Sequence, residues 1–329
     1  MVTELLDQQK MLSLANSPSE EALIEELRGT PYRYSIENLD LGASAIDYEK
    51  AFYNVFLERL NKVVKVSPQG FESILMTYFP VRLEIINIKR ILRGKYAGQS
   101  REEIERILLP VAPYSIRNID DLLKADDVEG VVNALRGTIY ATLSDFLPFF
   151  REQGSLWALE VELNYIYFDA IEAAIGKAIS KYRDLLIKLV EVDQSVEIIL
   201  LALSIPSGTE TLGTALESIL DRSRLVSAET FRQLMSREDL TSTLSRLKGP
   251  ILDILSPLSE NDSAMVRTKL QRYLLETVGR VARTDAMDFP YVLWFLMRCE
   301  AEVKDMARIA WCQDQNLSYK QFSRYFLLL

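Results

Sequence analysis

IEELRGTPY at 24–32, VNALRGTIY at 132–140 and LSRLKGPIL at 244–252 are three versions of one phrase, set about 110 residues apart around Gly29, Gly137 and Gly249. A second phrase keeps the same beat: Glu84 heads EIINIKRIL, Asp193 heads DQSVEIILL and Glu302 heads EVKDMARIA. Two markers recurring in one order at one period describe a chain built from three copies of a unit. Solenoid repeats usually run about 20 to 50 residues and lean on their neighbours, whereas about 110 residues is enough to enclose a core. The expected division is therefore three small domains, 1–114, 115–226 and 227–329. Quasi-equal domains close about an axis much as identical subunits do in a ring, so the expected fold is all-α with three helical domains about a pseudo-threefold axis.

Composition agrees with helices. Hydrophobic residues make up 48% and charged residues 26%, and Gly occurs only 13 times in 329 positions. Long runs of Leu, Ile, Ala, Glu, Lys and Arg with so little Gly argue against a turn-rich β architecture. No run of about 18 apolar residues exists, because LWALEVELNYIYF is interrupted by Glu160, Glu162 and Asn164, and MVTELLDQQK at the start lacks a basic-then-apolar signal pattern. The expectation is a chain that does not span a membrane. Cys299 and Cys312 are too few for a disulfide framework and lack the close spacing of a metal or redox motif, so both read as reduced core thiols. A net charge of −9 makes nucleic acid an unsuitable partner, since phosphate binding needs clustered Lys and Arg.

The chain contains no histidine, which removes Ser-His-Asp and Cys-His nucleophile activation, HExxH zinc sites and Glu-x-x-His di-iron sites. SGTETLGTA has Gly208 and Gly213 at Walker spacing, but Thr214 stands where the phosphate-binding Lys belongs. The pairs Asp120-Asp121 and Asp126-Asp127 are like the carboxylates of helical magnesium-dependent synthases. Lys124, however, takes the third carboxylate position, and NIDDLLKADDVEG reads more simply as helix, turn and the acidic start of the next helix. No catalytic residue, cofactor site or metal site is expected.

Apolar spacing places the long helices. Leu159, Leu163, Ile166, Ala170, Ala174, Ala178, Tyr182, Leu185 and Leu189 step by three or four and form one stripe through the middle copy. Its counterpart in the first copy is DYEKAFYNVFLERLNKVV, with Tyr48, Phe52, Val55, Phe56, Leu60 and Val63 on one face, and in the third VRTKLQRYLLETVGRVAR. Aromatics on these stripes read as core filling. In the LRG phrases, a helix ending in Leu-Arg or Leu-Lys before Gly fits a C-terminus, where Gly accepts positive φ and a cation meets the negative end of the dipole. Boundaries fall at LLPVAPYSIRN, with Pro110 and Pro113, and at DRSRLVSAET, with Ser227 as an N-cap; SIPSGTETLG at 204–213 reads as a loop.

EIINIKRILRGKYAGQSREEI, with Glu84, Asn87, Ile88, Lys89, Leu92, Arg93, Lys95 and Gly98, resembles the motif of the C subunits of archaeal and bacterial A/V-type rotary ATPases, relatives of the eukaryotic V-ATPase d subunits. SPSEEALIEELRGTPY, the triplication and EVKDMARIAWCQDQNLSYKQF extend the likeness over essentially the whole chain. Departures exist: the first helix is short for the family, Asp305 replaces Asn in the third copy, and no Gly stands where Gly98 does in the first.

The resemblance implies a funnel-like, all-helical, non-catalytic stalk protein between the rotating central shaft and the membrane proteolipid ring. Such a protein is peripheral on the cytoplasmic face and has the shaft subunits and the ring as partners. The expected interface residues are Arg90, Arg93, Lys95 and Arg101 in the first copy, with Arg308 as a partial equivalent in the third. Two other classes stay open on the residues alone: a general α-helical protein-binding scaffold, and a helical magnesium enzyme using Asp120, Asp121, Asp126 and Asp127.

Overall fold

Helices start here where a side chain accepts the orphan N–H groups of a first turn. Asp7 accepts from the Lys10 amide at 2.7 Å and opens α1 (Gln8–Ala15). Ser19 does so for Ala22 at 3.3 Å and opens α2 (Glu20–Arg28), which carries Glu20 and Glu21 in its first turn and Arg28 in its last, matching the helix dipole. After the short α3 (Arg33–Ile36), the Asp47 carboxylate accepts from the Ser44 amide at 3.0 Å and the Ser44 hydroxyl at 2.6 Å to begin α4 (Ala45–Val66). Next come α5 (Glu72–Met76), a π-turn over Thr77–Val81, α6 (Arg82–Tyr96) and α7 (Arg101–Arg106). Pro80 lies in that π-turn; having no N–H for a regular α ladder, it is accommodated by the wider turn.

The second copy contributes α8 (Ile119–Leu123), α9 (Val128–Ala134), a 3-10 turn at Ala141–Phe146, α10 (Leu147–Gln153), α11 (Trp157–Lys177) and α12 (Arg183–Ser204). The third contributes α13 (Ala228–Ser236), α14 (Leu240–Ser245), α15 (Pro250–Leu255), α16 (Ser263–Thr284), α17 (Phe289–Asp314) and α18 (Tyr319–Phe322). This computed structural model describes residues 5–67, 70–114, 118–177, 180–204, 227–236, 240–247, 249–285 and 288–329, and all regular structure among them is helical. The long helices recur in order: α4, α11 and α16 come first in each stretch, and α6, α12 and α17 carry the second marker. No helix among the described residues is long and apolar enough to cross a membrane.

Contacts gather the chain into two compact units. One holds residues 1–72, 107–111 and 271–329, the other 73–106 and 112–270. In the first unit, α4 packs along α17. All six stripe residues expected on α4, from Tyr48 to Val63, are buried, as are Leu293, Leu296, Val303, Met306 and Ile309 on α17. Phe71 stacks on Phe289 with centroids 3.9 Å apart. Each such side chain contributes roughly 1.5 to 3 kcal/mol when fully withdrawn from water. Cys299 and Cys312 are buried and not joined in a disulfide.

In the second unit α11 and α12 pack on each other, α11 also meets α6 and the π-turn, and α6 meets α9. Gly94 lets α6 approach α7, since a Cβ there would run into Cγ1 and Cδ1 of Ile104. Asp120 and Asp121 sit in the first turn of α8, and Asp127 caps α9 by accepting from the Gly130 amide at 2.8 Å. Asp120, Asp121, Asp126 and Asp127 are all exposed. They serve helix starts, and Asp120 is held by Arg101 at 2.8 Å, so they do not converge on a magnesium site. Ser227 is the N-cap of α13, accepting from the Thr230 amide at 3.1 Å.

Two expectations need correction. The stripe from Leu159 to Leu189 is not one helix: α11 stops at Lys177, and α12 starts at Arg183 after a 3-10 turn at Ser180–Tyr182. The Arg183 guanidinium donates to the Gly176 carbonyl at 2.6 Å, supplying a partner to the end of α11. An apolar period of three to four continues across such a break because both helices bury a face, so the period alone could not find it. The second correction concerns the marker glycines. Gly137 and Gly249 do adopt positive φ, 81° and 68°, but Gly29 sits at φ −83°. At the first two markers it is the following threonine, not the glycine, that serves a terminal carbonyl: the Thr30 and Thr138 hydroxyls donate to Leu27 O and Leu135 O, each at 2.6 Å. The expected loop at 204–213 lies, beyond Ser204, outside the described residues.

Candidate functional site

The same threonines set up two buried polar centres. Thr30 Oγ1 accepts from the Tyr32 amide at 3.2 Å, and Thr138 Oγ1 from the Tyr140 amide at 3.1 Å. Each tyrosine is thereby aimed at a buried acid. Tyr32 OH donates to Glu302 Oε1 at 2.7 Å, and Tyr140 OH donates to Glu84 Oε2 at 2.5 Å. Both rings have 0% exposure, and burial followed by the neighbouring carboxylate pushes both phenols far above their ordinary range.

In the first unit the centre is larger. Glu302 also accepts from the Leu6 amide at 2.6 Å and from Arg59 at 2.9 Å, and the Arg59 guanidinium lies 5.3 Å from the Tyr32 ring centre. Burial opposes the Arg59 charge, yet Tyr32 and Glu302 outweigh it and hold the guanidinium above its ordinary value. The sequence markers around Gly29 and Glu84 were thus two halves of one device. The signal that could have joined them was the Thr-x-Tyr after Gly29 and Gly137, which offers a hydroxyl to whichever buried acid shares its core.

One turn further on α17, Asp305 occupies the position where the first copy has buried Asn87. Its carboxylate accepts the Leu327 amide at 2.8 and 2.9 Å and the Leu328 amide at 2.8 Å, and Arg308 donates to it at 2.8 Å. An asparagine has one acceptor oxygen and could not take this set. Burial raises the Asp305 carboxyl despite those amide and guanidinium bonds.

The five expected interface cations fall in both units. Arg90, Arg93, Lys95 and Arg101 lie on α6 and α7 of the second unit, and Arg308 lies on α17 of the first. Arg90 is half-buried. Arg93 makes a bidentate pair with Glu160 on α11, both bonds at 2.6 Å, while 63% of its side chain remains exposed. The Glu160 bonds hold the Arg93 guanidinium above its usual value. Lys95 donates to the Leu123 carbonyl at 2.9 Å, and Arg101 reaches Asp120. Arg93, Lys95, Arg101 and Arg308 therefore each have a structural partner as well as an outward portion.

Lys89 lies in the same EIINIKRIL phrase, one turn before Arg93. It donates to Asn164 Oδ1 at 2.5 Å. Burial drives its ammonium down to about 8, with Arg267 and Arg93 adding to the fall and Glu197 and Glu160 opposing it. Nothing in this arrangement sets a nucleophile beside a base. What it does is join α6 to α11 by charge and hydrogen bonds.

Comparison with known proteins agrees. A family profile described as ATP synthase (C/AC39) subunit matches residues 1–325. The chain is 23% identical to the C subunit of the A-type ATP synthase of Methanocaldococcus jannaschii, over 99% of this chain and 83% of that one. It is 20% identical to the protein of the same name from Methanosarcina acetivorans, over 97% and 87% of the two chains. Over 45% of its length it is 33% identical to the one from Methanothermobacter thermautotrophicus, covering 40% of that protein. With a match over nearly every residue, the chain belongs to the ATP synthase (C/AC39) subunit family and is a rotary ATPase subunit, not itself an enzyme.

Proposed function

We propose that this chain links the rotor shaft of an A/V-type ATPase to the membrane proteolipid ring on the cytoplasmic side and passes torque between them for ATP-coupled ion transport. Its three copies would sit about a pseudo-threefold axis as three domains, giving a shaft end a socket. The observation that carries the reading is the family match over residues 1–325. Supporting it is the way copies are cross-tied: the first copy's Tyr32 to the third copy's Glu302, and the second copy's Tyr140 to the first copy's Glu84. Close-packed helical interiors have low compressibility, which suits a body that must turn without losing register. The outward portions of Arg90, Arg93, Lys95, Arg101 and Arg308 supply polar contacts to shaft or ring.

The test is mass spectrometry of the solubilised membrane complex retained by a tagged chain. Shaft and proteolipid proteins are the expected companions, and their absence overturns the reading. Arg93→Glu with Lys95→Glu should reduce that recovery at moderate salt while the melting temperature of the free chain moves by only a few degrees, since exposed pairs contribute about 0 to 1 kcal/mol. Unchanged recovery removes these two cations from the interface.

A further inference from the structure

The three markers are not held alike. Tyr32 and Tyr140 each bind an acid on a helix from the preceding copy in cyclic order, Glu302 and Glu84. The third marker also lies on the preceding copy's helix, since α15 packs on α12. There, however, Pro250 and Leu252 stand where the others have threonine and tyrosine. Proline has no hydroxyl to serve the carbonyl or receive the amide, and leucine has no hydroxyl to give an acid. Leu252 is 41% exposed, against 0% for both tyrosines. The buried residues of α15 are Ile251, Ile254 and Leu255, so its seat is apolar.

Among the described residues, the polar side-chain contacts of α15 run to its own copy instead. Lys269 on α16 donates to Asp253 O at 3.0 Å, Asp253 Oδ1 at 3.1 Å and Ser256 Oγ at 2.9 Å. Between the long helices α16 and α12, Arg267 pairs with Glu197, and 53% of the arginine side chain is exposed. Such a pair is screened by salt. Apolar contact without directional hydrogen bonds permits sliding and parting more readily than a buried hydroxyl–carboxylate bond.

We infer that the third marker is the releasable one: α15 parts from α12, while Tyr32 and Tyr140 stay pinned. The device is a built-in opening between the second and third copies, present in the free chain and needing no partner, so its test is separate from that of the coupling role.

Native-state hydrogen exchange on the full chain, read by mass spectrometry, measures it. The amides of Ile254 and Leu255, which lie past the first turn of α15, should exchange roughly tenfold or more faster than those of 141–146, the segment following Tyr140. Tyr140→Phe should bring 141–146 toward the faster rate and leave 254–255 unchanged. Pro250→Thr with Leu252→Tyr, which writes the first two markers' residues into the third, should slow 254–255. Equal protection of the two segments in the parent chain, or a Tyr140→Phe variant in which 141–146 exchanges as slowly as before, overturns the inference.

Discussion

Glu302 is the residue on which the first unit turns, because it is completely buried and accepts from a phenol, a guanidinium and a backbone amide at once. Removing one partner of a buried ion pair strands the other charge, at about 3 to 5 kcal/mol. Glu302→Ala should lower the stability measured by urea unfolding by about that amount, since the Leu6 amide, the Tyr32 hydroxyl and Arg59 all lose the acceptor they share; a loss under about 1 kcal/mol would contradict the account. Lys89 makes the complementary prediction about pH. Its folded pKa of about 8 lies below the unfolded value of about 10.4, so between the two the unfolded chain holds the extra proton and stability rises with pH. Relative to Lys89→Met, which cannot titrate, the parent chain should gain stability from pH 8 to pH 10. Denaturant midpoints that run parallel for the two proteins over that range would refute it. The sequence exposed the acids as markers but not their partners, because a tyrosine and a glutamate separated by 270 residues carry no local sign of meeting.

Helices were the most legible level. The α4 stripe was read residue by residue, and the acidic 118–130 segment resolved into a helix, a turn and the next helix start, as its spacing implied. The break between α11 and α12 was not legible, because burial of both helices keeps the apolar period running through it. Close approach between helices is likewise invisible in a pattern of apolar positions, and Gly94 is the case in point. Gly94→Ala should cost about 1 to 3 kcal/mol by forcing Ile104 aside, and adding Ile104→Val should return part of the loss. Melting curves of the single and double variants check this. Additive losses would mean that the two side chains do not meet.

For the molecule as a whole, scarce glycine and helical apolar spacing told the all-α class, and the family followed from motif plus period. What the repeat did not foretell is that each compact unit draws on more than one copy. The first unit combines α1 to α4 with α17 and the C-terminal segment, so Phe52, Phe56 and Leu60 find cover on a helix that begins at Phe289. This has a consequence for how the protein is made. A chain leaving the ribosome carries the apolar side of α4 uncovered until the covering helix α17 emerges far downstream, and contacts so distant in sequence close slowly. The newborn polypeptide therefore needs shelter over that interval, by a chaperone or by provisional contacts.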